Sequence, residues 1–196
     1  MQEIRQQLVK LFRSRSLQIG DFRLTSGLRS NYYFDAKQTT LHPEGSYLSA
    51  KLILEQLRQK SIKAHAIGGL TLGADPVVAA VAAVSFAERD RYSPISGLIV
   101  RKEPKSHGTQ TYIEGCDGIS GSRVVVVDDV CTTGKSTRLA IDRLEKGGYE
   151  VAAVIALVDR EQGGKENLQD YRFLPLLTAT ELLDSPEIQE QLDQMK

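Results

Sequence analysis

Charge of either sign is not in excess: 25 lysines and arginines stand against 25 aspartates and glutamates in 196 residues. With no global basic field to draw in a polyanion, nucleic acid is not favoured as a partner. Cysteine is scarce. The two present, Cys116 and Cys131, have no metal-site spacing, and the economical reading is a pair of thiols in a reducing cytosol. Long apolar runs are missing as well. The most apolar stretch, PVVAAVAAVSFA at 76–87, falls well short of the roughly 20 residues that a bilayer span needs. The N-terminus, MQEIRQQLVKLFRSRS, has no apolar h-region, so no secretory signal is read there. Neither an internal repeat nor a linker interrupts the chain. The expectation is a soluble cytoplasmic chain, 1–196, folded as one domain, with no membrane partner.

What is present is periodic. Ile4, Leu8, Leu11 and Phe12 share one face of a short N-terminal helix. FRLTSGLRSNYYFDAK (22–37) reads as two extended pieces around a Ser-Gly turn. Pro43 opens a helix carrying Leu48, Leu52, Ile53 and Leu57. From there strands alternate with helices: strand 64–69, helix 75–89, strand 96–102, strand 123–129, helix 136–146, strand 151–160. RVVVVDD and VAAVIALV are continuous apolar runs, as expected for strands buried on both faces. The fold class that follows is α/β, a mostly parallel twisted sheet flanked by helices.

In such a sheet ligands bind beyond the C-terminal strand ends, and three polar clusters fall there. The first is VVVVDDVCTTGKS (124–136). Its last letters resemble a P-loop, but the glycine required five residues before Gly134 is Asp129, with Asp128 beside it. Two carboxylates would repel a triphosphate. The turn's N–H groups, with the hydroxyls of Thr132, Thr133 and Ser136 and a helix N-terminus, instead suit a single phosphate. The two acids before it suit the vicinal diol of a sugar. A phosphorylated ribose meets both demands. The second cluster, RKEPKSHGTQ (101–110), concentrates Arg101, Lys102, Lys105 and His107 in a loop, as a polyanionic leaving group would need. Alone, it could equally be a solvated hairpin tip. The third is Asp159-Arg160, where an arginine can grip a planar carboxylate.

VVVVDDVCTTGKS resembles the ribose-phosphate motif of type I phosphoribosyltransferases, and RKEPKSHGT with YIEG resembles the catalytic loop of the orotate branch. SGLRSNYYFDAK and LVDREQGG are similar to two further segments of that branch. The resemblance spans about residues 20–165. It implies transfer of ribose 5-phosphate from phosphoribosyl pyrophosphate (PRPP) to N1 of orotate, giving orotidine 5′-monophosphate and pyrophosphate for pyrimidine biosynthesis, with Mg²⁺ carried by PRPP rather than held by protein ligands. It also implies a base-pocket hood at 1–40, a core sheet at 60–165 and a mobile catalytic loop at 101–112. Asp128 and Asp129 would hold the ribose diol. Val130, Cys131, Thr132, Thr133, Gly134, Lys135 and Ser136 would hold the 5-phosphate. Arg101, Lys102, Lys105 and His107 would meet pyrophosphate, and Thr132 and Arg160 orotate, with Phe34 lining the base pocket. The loop would reach over a neighbouring subunit's site, which implies a homodimer. Thr25 and Leu72 stand where related enzymes carry PRPP-binding lysines. A phosphoribosyltransferase for another base, or a non-catalytic PRPP sensor, remains open at this point. The first would not need Arg160, and the second would need a nucleic-acid surface that the charge balance does not supply.

Overall fold

The computed structural model of the chain describes residues 1–23, 29–104, 111–115 and 121–195. The chain opens with α1 (Gln2–Leu11), whose helix widens over Phe12–Ser16, so that Leu8 and Phe12 are both fully buried. A hairpin follows, β1 (Leu17–Arg23) and β2 (Arg29–Phe34). It forms a two-stranded antiparallel sheet of its own. Its first strand starts five residues earlier than the sequence pattern suggested, because Leu17 and Ile19 pair with Phe34 and Tyr32. The Ser-Gly turn and Thr25 lie outside the described residues.

Next come α2 (Lys37–Thr40), α3 (Pro43–Gln59), β3 (Ala66–Leu70), α4 (Asp75–Ala87), β4 (Ser96–Val100) and β5 (Ile113–Gly115). The chain continues through β6 (Arg123–Cys131), α5 (Lys135–Lys146), β7 (Glu150–Asp159) and α6 (Gly164–Asn167). It closes with β8 (Leu177–Thr178), α7 (Ala179–Leu183) and α8 (Pro186–Asp193). Six strands form one sheet in the order β5-β4-β3-β6-β7-β8. Every pairing is parallel except that of β5, an antiparallel edge on β4. This is the α/β, mostly parallel sheet expected. Among the described residues no helix is long and apolar enough to cross a membrane.

The four valines of β6 show how the layers form. A strand sends successive side chains to opposite faces. Val125 and Val127 accordingly join Ile53, Leu54 and Leu8 under α1, α3 and α4, while Val124 and Val126 join Ile141 and Leu144 of α5. Each face is dry, which is why no polar residue interrupts the run. β6 does not stop at the acids. It pairs with β7 as far as Cys131 opposite Asp159, two residues beyond the end suggested by the sequence.

Candidate active site

β6 carries on through Cys131, and both acids sit near its C-terminal end, at the mouth of one cavity. Asp128 falls on the side of Val124 and Val126, facing α5, and accepts a 2.5 Å hydrogen bond from the Thr137 hydroxyl at its Oδ2. It is only 8% exposed. Burial pushes its carboxyl up to about 7, with the neighbouring Asp129 charge adding in the same direction and Thr137 opposing. Asp129 lies beside Asp128, close enough for the two carboxyls to hydrogen-bond. Its Oδ1 accepts the backbone N–H of Val130 at 2.9 Å, and its carboxylate lies directly against Gly73 in the loop after β3.

Beyond Cys131 the chain must turn sharply into α5, and Gly134 makes the turn at φ +76°, a conformation most side chains resist. The helix begins at Lys135, one residue before the sequence suggested, so its first amides have no partner within the helix. Asn167 of α6 anchors the turn through a 2.9 Å bond to the Thr133 carbonyl. The result is an electropositive cradle of backbone N–H groups at a helix start.

These residues share one cavity of about 770 Å³. Asp128 to Ser136, except Cys131, line it, together with Phe34 and Arg160. The Cys131 thiol points instead into the core, where its Sγ would lie 2.6 Å from any Cβ on Gly164. Burial drives the thiol up to about 12, so it stays protonated. Among the residues expected to hold phosphate, Cys131 can take part only through its backbone.

Arg160, whose backbone N–H bonds the Cys131 carbonyl at 2.8 Å, lines the same cavity. It is 4% exposed, its guanidinium stacks on the Tyr32 ring at 4.7 Å, and Nη2 donates to the Ser30 hydroxyl at 3.2 Å. Its Nε has no partner among the described residues. A buried guanidinium with an orphan donor on a cavity wall is set for an anion. The adjacent Asp159 does not neutralise it directly. Its Oδ1 accepts the Glu161 backbone N–H at 2.8 Å, and burial raises its carboxyl.

The loop cations stand apart. Arg101 pairs with Glu114 at 3.3 Å, and the Lys102 carbonyl accepts from Arg143. Neither lines the cavity of its own chain. Lys105 and His107 lie outside the described residues. Gln18, Phe22, Arg23, Tyr33 and Lys37 also line the cavity and were not singled out in the sequence; Lys37 is the one whose charge reaches the acid pair. It pairs with Asp35 at 2.7 Å, a hydrogen bond that raises the lysine's pKa, and its charge also feels Asp129. The Asp35–Lys37 spacing at the end of YYFDAK was the available signal. Leu72, at one of the two positions where the resemblance implies a lysine in related enzymes, is 74% exposed.

A phosphoribosyl transferase domain model matches residues 42–190. The orotate phosphoribosyltransferase of Synechocystis sp. is 47% identical over 167 residues, covering 85% of this chain and 81% of the relative. That of Aquifex aeolicus is 46% identical over 84% of this chain and 88% of its own length. Among solved structures, Mycobacterium tuberculosis orotate phosphoribosyltransferase in complex with PRPP superposes with a TM-score of 0.74 at 34% identity. That match covers 91% of this chain and 98% of the other. The paired acids, the helix-start cradle and the buried arginine thus sit in a chain that belongs to the phosphoribosyltransferases and, within them, to the orotate phosphoribosyltransferase family.

Proposed function

We propose that this chain transfers ribose 5-phosphate from PRPP to N1 of orotate, and that the residues around the cavity divide the work. The turn from Val130 to Ser136 takes the 5-phosphate on its backbone N–H groups and hydroxyls. Asp128 and Asp129 accept the ribose hydroxyls. As the C1–O bond breaks, its electron pair leaves with pyrophosphate and positive charge spreads over the ring. The two carboxylates stabilise that charge by position and electrostatics. The N1 lone pair of orotate then forms the new bond to C1, and the N1 proton is released. Orotate's acidic ring nitrogen makes a strong protein base unnecessary. Lys105 and His107 neutralise the departing pyrophosphate.

Mg²⁺ accompanies PRPP. It would be held through the substrate's phosphates rather than by side chains of this chain, and a cavity of about 770 Å³ has room for a substrate carrying a hydrated ion. When bound, it offsets charge on the diphosphate. We infer that residues 101–112 serve the site of a second copy in a homodimer, which fits the placement of Arg101 and Lys102 away from their own cavity. A cytoplasmic setting accords with both substrates and with the buried, protonated Cys131 thiol.

The observation that carries the choice of base is the orphan Nε of buried Arg160. Orotate brings a carboxylate to it, whereas a purine brings none. Following orotate absorbance with PRPP and Mg²⁺, Arg160→Ala should lower kcat/KM for orotate by roughly a hundredfold or more while PRPP still binds in calorimetry. Unchanged orotate kinetics would sink the proposal and direct attention to other bases.

A further inference from the structure

Thr137 stands at the third position of α5, 1% exposed, behind the phosphate cradle and outside the cavity lining. Nothing in the division of labour above uses it, yet its hydroxyl makes the side-chain bond to the Oδ2 of Asp128. We propose that Thr137 is a positioning residue that fixes the Asp128 carboxylate, ionised and in one rotamer, for the ribose of PRPP. This rests on the assignment of Asp128 to the sugar.

The physical need is specific. A carboxyl that is buried next to a second carboxylate favours its neutral form, and a neutral acid accepts sugar hydroxyls and stabilises a cation poorly. The groups around Asp128 give little relief. β6 brings the Asp129 carboxyl, hydrogen-bonded to Asp128 and favouring its neutral form, and a backbone donor at Asp129 that opposes this weakly. It also brings the protonated Cys131 thiol, while β3 alongside, AIGGL, brings no titratable side chain. Lys37 of α2 acts on Asp129 instead, and Asp159 of β7 on Cys131. From α5 the Thr137 hydroxyl is the donor that meets Asp128. A donor to the charged form favours that form. The link has a second effect. Thr137 follows the cradle residues Lys135 and Ser136 directly, so the turn that receives phosphate also sets the acid that receives the sugar.

Three variants test this: Thr137→Val, which keeps the shape and removes the donor, Thr137→Ser, which keeps the donor, and Asp128→Asn. The free protein is titrated by carboxyl ¹³C NMR, the Asp128 signal being the one missing in Asp128→Asn. The expected midpoint rises by about one pH unit in Thr137→Val and returns in Thr137→Ser. The acid limb of kcat/KM for PRPP should move by the same amount. Wild-type midpoint and acid limb in Thr137→Val, with Asp128→Asn impaired, would reduce Thr137 to packing and overturn the proposal. Wild-type kinetics in Asp128→Asn would instead overturn the sugar assignment. Should Thr137→Val fail to fold, Thr137→Ala removes the same hydroxyl without adding bulk, and its titration decides.

Discussion

Gly73→Ala is a single methyl group aimed at the carboxylate of Asp129, one of the two acids proposed to hold the ribose. A Cβ on Gly73 would sit 2.4 Å from Asp129 Oδ1, 2.6 Å from its Cγ and 2.7 Å from Oδ2. Ordinary contact begins near 3.4 Å, so something must yield by about 1 Å. The loop is the stiffer party. Thr71 N–H bonds the Val100 carbonyl at 2.8 Å, and the Thr71 hydroxyl bonds Asp75 at 2.6 Å. Gly73 itself is outside the left-handed region, so its backbone accepts alanine without strain. The Asp129 carboxylate therefore swings away, giving up its bond to Val130 N–H and the place beside the ribose proposed for it. A misplacement of about 1 Å can cost about a hundredfold in rate, or about 2.7 kcal/mol of barrier. The lost neutral-donor bond should cost only about 1–2 kcal/mol of stability. The expected result is a folded protein, cooperative in thermal melting, with kcat/KM for PRPP down by two orders of magnitude. Wild-type turnover in a folded variant would refute the placement of Asp129. A collapse in melting temperature would show instead that the loop, not the carboxylate, gives way.

Two pH predictions carry opposite signs. Asp128 is raised in the folded state, so the folded protein binds the extra proton and its stability falls as pH rises from about 4 to about 7. Asp128→Asn should therefore lose activity yet unfold in more urea than wild type at pH 8, by up to about 4 kcal/mol, with the gap closing near pH 4. A gap independent of pH would refute this. Glu55 is the reverse case: it accepts from Arg58 at 2.5 Å, Arg91 at 2.8 Å and Tyr92 at 3.2 Å, and its carboxyl is held down to about 2, chiefly by Arg58. Its contribution is present above about pH 4.5 and disappears as pH falls through about 2. With both arginines half exposed to solvent, Glu55→Gln should cost only about 1–2 kcal/mol at pH 7. A full loss of folding, or no pH dependence, would count against it.

The layered sheet was legible because its signal is local. Four valines in a row leave little but a strand buried on both faces, and Gly134 before a helical pattern marks a turn. The acid pair and the cradle were legible for the same reason, being contiguous in the chain. What stayed hidden depends on distant segments meeting. Lys37 looked like part of an aromatic-rich strand end until α2 brought it to the cavity wall. Cys131 looked like one more member of the cradle, but the end of the strand turns its thiol into the core beside Val124, Val126 and Gly164. Thr137 carried no signal at all, since a threonine in the first turn of a helix is ordinary until Asp128 is found beneath it.

Arg160 stacks on Tyr32 and bonds Ser30, and both belong to the separate two-stranded hairpin rather than to the main sheet. The hairpin is therefore docked in part on the residue proposed to read the base. Exchanging the hairpin alone between relatives would leave that guanidinium without its platform, so recognition of the base should transplant only when hairpin and arginine travel together.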